Sequence, residues 1–329
     1  MKAPILALLL AVLAGSVSAA SAAAAPAQAP APSSAEAWLE AMTAALRANA
    51  YEGLLSYARE DGVTELRLIH GHRGSAIYER LSRLDGEGEA LLRRGDEVYF
   101  LGAQDETLPE GAVPLVQHPV AKFDAIPDSY RARLGPQVTV GGRRAQQVRI
   151  DPRDSYRFAY HLWLDAETAL PLRLTMNHPQ GAPVEVMQFR ALAVGEEPPE
   201  AAFQVPEGAP HQHPLAPAFS PEAAAAPALP LQRLPWRLAW VPPGFELLAE
   251  IAETPAMLRL GDGLATVTVF IDATVEDAPV ALQDGPTAAV VRHRPHCNGA
   301  AYQVTVIGEV PLPAAERIAE ALHCTDDAS

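Results

Sequence analysis

Short apolar segments separated by turn signals fill residues 54–194 and constrain the fold more than any other feature. Glycine or aspartate-glycine turns punctuate this stretch at residues 61–62, 71–74, 85–86, 95–96 and 141–142. Because such short turns join only neighbouring antiparallel strands, the pattern predicts one large antiparallel sheet. Gly141-Gly142 is its strongest hairpin signal. The predicted strands cover residues 54–59, 63–69, 76–84, 90–93, 97–101, 137–140, 146–150, 157–164, 170–177 and 184–194.

An amphipathic helix is predicted directly before these strands. Ser33 is a suitable N-cap, with Glu36 three residues later as its capping-box partner. Apolar side chains then recur at helical spacing at Trp38, Leu39, Met42, Ala45 and Leu46. The predicted fold class is therefore α+β, with one helix laid across the concave face of a curled antiparallel sheet. A second, short helix is predicted near residues 128–134.

The apolar face of the first helix has two interpretations. In one, Trp38, Met42 and Leu46 line a ligand cavity between the helix and the curled sheet. In the other, the same side chains fill an ordinary core. Helical periodicity favours neither interpretation, so both stay open.

The first residues carry the pattern of an export signal. Lys2 is followed by an apolar run over residues 5–13 and by small residues up to Ala25. A run this short does not span a bilayer, whereas a positive start, an apolar core and a small-residue exit are typical of a secretory signal peptide. Residues 1–22 are therefore predicted to be a signal peptide, and the mature chain is predicted to be soluble and periplasmic.

Charge and motif content argue against several classes of function. The formal net charge is −15, whereas nucleic-acid partners need clustered lysine and arginine. The sequence contains no G-x-S-x-G, H-E-x-x-H or phosphate-binding glycine loop. The chain is therefore predicted to bind a partner rather than to be an enzyme, with no nucleic acid and no cofactor.

The sequence contains two cysteines, Cys297 and Cys324. An even number in an exported chain predicts a disulfide between them. A zinc site is the alternative, because His293, His296 and His323 lie beside these cysteines. The spacing fits no common zinc motif, so no metal is predicted, and free thiols remain the third option.

A proline-rich stretch divides the chain into two predicted domains. Residues 206–232 contain frequent prolines and lack apolar periodicity, which is typical of a linker. The first domain is predicted at residues 33–205 and the second, a small α+β domain, at residues 233–329. Its predicted strands cover residues 240–245, 256–260, 264–271, 287–292 and 302–307, and its helix covers residues 313–322.

Several motifs, in the same order along the chain, resemble one family of bacterial regulators. The longest is DPRDSYRFAYHLWLD at residues 151–165, which continues to Arg173. Further matching segments are residues 38–53, 240–245, 262–269 and 304–319. Together they resemble the RseB/MucB family of periplasmic sigma-E regulatory proteins over nearly the whole chain after the signal peptide.

The resemblance implies a fold and a function that composition does not indicate. It implies a first domain similar to the half-barrel of the lipoprotein carrier LolA, and a second domain that helps to grip a partner. The chain would then be a negative regulator of a sigma-E-type envelope stress response. It would bind the periplasmic domain of a membrane-bound anti-sigma factor, shield it from regulatory proteolysis and release it when lipopolysaccharide or lipoprotein acyl chains signal stress.

A short basic segment near the C-terminal end of the chain is the predicted partner surface. Arg292, His293 and Arg294 form a short basic segment in an acidic chain and are predicted to contact the partner. A plain solvated face is the alternative for this segment. The alternative function is a periplasmic lipid or lipoprotein carrier, which needs the cavity alone. The oligomeric state, including a homo-oligomer, is left open.

Overall fold

Antiparallel pairing organises the strands of this chain. The structure, a computed structural model, describes residues 32–84, 90–95, 97–101, 123, 125–205, 211–212, 236–251, 256–273, 278–297 and 300–324. Within these ranges, eleven strands form a large sheet, six form a small sheet, and two short strands make a separate pair. The sequence prediction of a large antiparallel sheet followed by a smaller α+β part is confirmed at this level.

The large sheet contains β1 (Tyr51–Arg59), β2 (Gly62–Arg73), β3 (Ala76–Arg83), β4 (Ala90–Arg94), β5 (Glu97–Leu101), β6 (Tyr130–Val140), β7 (Arg143–Pro152), β8 (Ala159–Asp165), β9 (Pro171–Asn177), β10 (Pro183–Val194) and β11 (His211–Gln212). Their spatial order is β11-β5-β4-β3-β2-β1-β10-β9-β8-β7-β6. One long-range pair is β1 with β10, where Tyr51 lies opposite Val194. This pair joins two sets of sequential hairpins into one sheet.

The predicted hairpin at Gly141-Gly142 is confirmed. Val140 of β6 pairs with Arg143 of β7, so the two glycines form a two-residue turn. Their φ angles are 56° and 82°. Two successive positive φ values match the right-handed twist of a hairpin, and glycine adopts them without steric cost.

One helix, α1 (Ala35–Ala48), packs against β6 and β7 of the large sheet. Its cap is Ser34, whose hydroxyl accepts a hydrogen bond from the Ala37 amide at 3.1 Å. The predicted cap, Ser33, was therefore one residue too early. Trp38 and Met42 on the inner face join an apolar cluster with side chains of β7 and β8.

The small-sheet unit (residues 236–324) contains β12 (Trp236–Leu238), β13 (Glu246–Ile251), β14 (Ala256–Gly261), β15 (Thr266–Asp272), β16 (Val280–Asp284), β17 (Thr287–Cys297), β18 (Ala300–Gly308), α2 (Leu312–Glu320) and β19 (Leu322–Cys324). The six-stranded order is β13-β14-β15-β18-β17-β16, and β12 pairs with β19. Helix α2 packs on β17 and β18. Its buried residues Ala314, Ala315 and Ile318 close the core of this unit.

Three further local predictions were wrong. In each case, long-range strand pairing or the backbone chemistry of proline overrides the local sequence pattern. The helix predicted near residues 128–134 is the start of β6, which pairs with β7 along its length. The strand predicted at residues 240–245 is a turn, since its prolines lack the amide hydrogens of a ladder and the Phe245 amide donates to the Pro242 carbonyl at 3.0 Å. The last predicted helix ends at Glu320, because Leu322 pairs with Leu238.

The predicted domain boundaries are not decided by the fold. Residues 1–22, the predicted signal peptide, lie outside the described residues, as does most of the predicted linker. Within that linker, His211–Gln212 forms β11 and pairs with β5, which the sequence did not predict. Both sheets belong to one compact unit. No helix in the described ranges is both long and apolar enough to cross a membrane.

Candidate functional site at the junction of the two sheets

The loop between β7 and β8 carries a side chain that joins the two sheets. Arg157 is fully buried, with 0% of its surface exposed. Its Nε donates to Asp262 Oδ2 at 2.5 Å, and its terminal nitrogens donate to Asp154 and to the Pro243 carbonyl. Asp154 belongs to the same loop, whereas Asp262 and Pro243 belong to the small-sheet unit. One guanidinium therefore bridges both parts of the molecule.

The turn between β14 and β15 orients the carboxylate that receives this arginine. Asp262 Oδ1 accepts hydrogen bonds from the amides of Leu264 and Ala265 at 3.0 and 2.8 Å. Its other oxygen, Oδ2, faces Arg157 and the Ser129 hydroxyl of the large-sheet part. The turn of the small sheet thus presents a fixed negative charge to the large sheet.

Burial and neighbouring charges shift the pKa of Arg157 in opposite directions. Loss of water alone would lower the pKa of Arg157, but the hydrogen bond and charge of Asp262, and then those of Asp154, raise it. The rings of Phe245 and Tyr130 lie 5.0 and 5.8 Å from the guanidinium carbon, near enough for cation–π attraction. The arginine therefore remains charged in a site without solvent.

A second contact forms beside the first. The Tyr156 ring meets Trp240 edge to face at 4.9 Å. Arg317 of α2 lies 4.0 Å over the Trp240 ring and donates to the Tyr156 hydroxyl. In the opposite direction, Leu264 of the small-sheet unit is buried in the apolar cluster under α1. Each sheet contributes a side chain to the core of the other.

A groove of about 500 Å³ runs beside this junction and has walls from both sheets. The large-sheet wall includes Pro179, Pro183 and Val184, and the small-sheet wall includes Pro311 and Pro313. A groove built in this way keeps its shape only while the two sheets keep their relative position.

The predicted basic segment lies on β17, and two of its side chains hold α2. Arg292 donates to the Glu316 carboxylate at 3.0 Å, and Arg294 donates to the Ala319 carbonyl. Because side chains alternate along a strand, His293 faces the other side of the sheet, where it is exposed. The structure therefore divides the three residues between two faces. Their contact with a partner stays a prediction.

The three predicted cavity residues lie along one side of α1. Trp38 and Met42 are 3% and 1% exposed, within the cluster between α1 and the sheet. Leu46 is partly buried and packs against both this cluster and a second apolar cluster, which is built mainly from β1–β5 and β10. That these side chains line a ligand cavity stays a prediction.

The role of Arg157 and Asp262 is not visible in the sequence. The sequence predicts Arg157 as the first residue of a strand, whereas it belongs to the loop before β8. Both residues lie in motifs that carry the family resemblance, which was the only signal. They are 105 positions apart, so no local periodicity relates them.

The predicted disulfide concerns the two cysteines of the sequence. Cys324 is disulfide-bonded, and the sequence contains one other cysteine, Cys297. A bonded cysteine does not offer zinc a thiolate, so the alternative zinc site loses one of its ligands. The pairing of Cys297 with Cys324 stays a prediction.

Family models match the chain in the order of its two sheets. The model of the MucB/RseB N-terminal domain matches residues 34–207, and that of the MucB/RseB C-terminal domain matches residues 230–323. The first match spans the large sheet and the second spans the small sheet, so both domains of this two-domain family are represented. The chain belongs to the MucB/RseB family, which confirms the resemblance drawn from its motifs.

Similar proteins cover both parts of the chain. The sigma factor AlgU regulatory protein MucB of Pseudomonas aeruginosa is 33% identical, over 84% of this chain and 87% of its own length. The complex of Pseudomonas aeruginosa MucA and MucB overlays with a TM-score of 0.68 at 28% identity, covering 88% of this chain and 98% of that chain. A crystal structure of MucB overlays with a TM-score of 0.56 at 27% identity over the same shares.

Proposed function

We propose that this chain is a periplasmic negative regulator that binds the periplasmic domain of a membrane-bound anti-sigma factor. It acts by binding and not as an enzyme. The observation that carries the proposal is the likeness to MucB over both sheets, since MucB forms a complex with MucA. A likeness confined to the large sheet would support a lipid or lipoprotein carrier equally well.

The bound state explains how such a protein regulates without catalysis. By covering the anti-sigma segment, the chain keeps the regulatory protease from its substrate. Acyl chains of lipopolysaccharide or lipoprotein weaken this hold and allow cleavage. The periplasmic location rests on the export pattern of residues 1–22. The periplasm is an oxidising compartment, in which a disulfide persists.

The decisive experiment is a protection assay with purified components. The mature chain is added to the anti-sigma factor of the same organism and to the protease that makes the first regulatory cut. We expect saturable binding to the periplasmic domain and slower cleavage in proportion to occupancy. Absence of binding, together with uptake of acylated cargo from envelope extracts, would favour the carrier instead.

His293 offers a test of the predicted basic segment. Reversing Arg292 or Arg294 would disturb α2, whereas His293 is exposed on the other face of β17. At low salt, His293→Glu is expected to slow association with the anti-sigma domain by about two- to tenfold, because a basic segment is proposed to face an acidic surface of the partner, which an added negative charge would repel. The measurement is the association rate at two ionic strengths.

A matched control is His323→Glu, which makes the same change at another exposed position of the small-sheet unit. It should leave the association rate at the wild-type value. Equal rates for the two variants at low salt would remove His293 from the interface.

Acyl-chain binding beneath α1 is the second part of the proposal. Trp38 and Met42 would line its helix side, and Leu46 lies where two apolar clusters meet, which favours an elongated apolar ligand. Met42→Glu is unsuitable as a test because a carboxylate at a fully buried position would destabilise the fold. Leu46 is partly buried and tolerates a polar change better.

Leu46→Asp is therefore expected to weaken binding of a lipidated peptide or lipopolysaccharide by about tenfold, as a buried apolar contact is lost. Binding is measured by titration of intrinsic tryptophan emission. Leu54→Asp is the control, because Leu54 is 39% exposed on β1. A wild-type chain that binds neither ligand, or equal affinities for the two variants, would contradict the acyl site.

A further inference from the structure

The buried arginine at the junction constrains the geometry of its partners. An ion pair removed from water is often no more stabilising than an apolar pair of equal volume, because both charges lose their hydration. The hydrogen bonds of a planar guanidinium are directional, however. They can all form only when the acceptors occupy a few particular positions relative to one another. A buried Arg157 therefore selects one arrangement of the two sheets.

The polar partners of Arg157 are divided between the two sheets. Asp154 is in the same loop, whereas Asp262 and the Pro243 carbonyl come from the small-sheet unit. Separation of the sheets would leave the arginine with Asp154 alone. It would also leave Asp262, whose side chain is 0% exposed, without its positive partner.

The described contacts between the two sheets hold this arrangement. Residues 213–235, which follow β11 of the large sheet, connect the two parts along the chain. Arg59 supplies another contact through the Asp284 carbonyl at 3.2 Å, but the fully buried contact centres on Arg157.

The solved relatives differ in how well they overlay on this chain. Over the same share of residues, the TM-score is 0.68 with the MucA/MucB complex and 0.56 with the crystal structure of MucB.

We propose that Arg157 is a positioning residue for partner binding. By bonding Asp262, it holds the small-sheet unit where both sheets, and the groove between them, present one continuous surface to the anti-sigma domain. Arg157 does not touch the partner, since it is fully buried. This inference rests on the proposed function.

Arg157→Met tests the idea by removing the charge and the donors while keeping an unbranched side chain. Both sheets should stay folded but take up additional relative orientations. If about one molecule in ten keeps the competent orientation, the apparent affinity falls about tenfold. Arg157→Lys keeps the charge without the planar fork and should give an intermediate loss.

Arg153→Met is the matched control in the same loop. Arg153 donates to the carbonyls of Asp128 and Tyr130, which both lie in the large-sheet part. It should change neither orientation nor affinity. Asp262→Asn is the second variant, for use if Arg157→Met does not fold. It removes the negative charge that Arg157 contacts, while the amide oxygen still accepts hydrogen bonds from the Leu264 and Ala265 amides.

The mature full chain is measured in three ways: circular dichroism for folding, small-angle X-ray scattering for orientation, and anisotropy titration of the labelled anti-sigma domain for affinity. The expected result is a larger radius of gyration and about tenfold weaker binding at unchanged helix and strand content. The proposal would be overturned if Arg157→Met had the same scattering profile and the same affinity as the wild-type chain. It would also be overturned if the loss of affinity were fully accounted for by a loss of folded protein. A wild-type chain that does not bind overturns the proposed function instead, and scattering then decides the orientation alone.

Discussion

Replacing Trp38 with alanine is expected to lower the free energy of unfolding by about 3–5 kcal/mol. Trp38 is 3% exposed and belongs to the apolar cluster between α1 and the large sheet. Its removal takes a large ring out of a packed region and leaves a void that α1 fills only in part. The measurement is chemical denaturation of the mature chain followed by circular dichroism.

Trp163→Ala is the control, since Trp163 lies on the opposite face of β8 and is partly buried. Its ring packs under the guanidinium of Arg173 at 4.8 Å rather than in the main cluster. The expected loss is about 1–2 kcal/mol, because less apolar area is removed from contact. A loss at Trp38 as small as the loss at Trp163 would contradict the close packing of Trp38 between α1 and the large sheet.

Reduction of the disulfide is expected to destabilise the small-sheet unit by about 3–4 kcal/mol, from the entropy that a closed loop removes from the unfolded chain. Cys324 is bonded and lies in β19, directly after α2. For a unit of this size, the loss corresponds to a fall in melting temperature of more than about 10 °C. Calorimetry with and without reductant measures it.

The double variant Cys297→Ala/Cys324→Ala provides the control for this experiment. It should melt near the reduced wild-type protein and should not respond to reductant. Thiol titration of the unreduced wild-type chain under denaturing conditions should find no free cysteine. Two free thiols would contradict the predicted pairing, and so would a melting temperature that reductant leaves unchanged.

The strands were predictable because their signals are local. Gly141-Gly142 fixes a two-residue turn through its positive φ angles, and the hairpin forms at the predicted position. The start of β6 was not predictable for the opposite reason. Its first residues have no strong strand pattern and become a strand because β7 offers a partner, with a register shift between Leu134 and Gln137.

The candidate site was less predictable than the fold. Arg292 and Arg294 stood out as charges in the sequence, yet their hydrogen bonds to Glu316 and Ala319 place them in contact with α2. Arg157 did not stand out, although it is the largest fully buried side chain in the described residues. Charge in a sequence gives no information about burial, because burial depends on neighbours that are distant along the chain.

The sequence by itself determined the class of fold, the strand-and-turn order and the family, since these depend on local periodicity, turn chemistry and motifs that keep their order. The tertiary structure alone decided that β1 lies beside β10 and that Asp262 meets Arg157. Contacts between residues more than a hundred positions apart form when the folded chain buries its apolar faces against one another and pairs its buried charges at the same time. No pattern within one segment carries that information, because the partner that satisfies each group belongs to another segment.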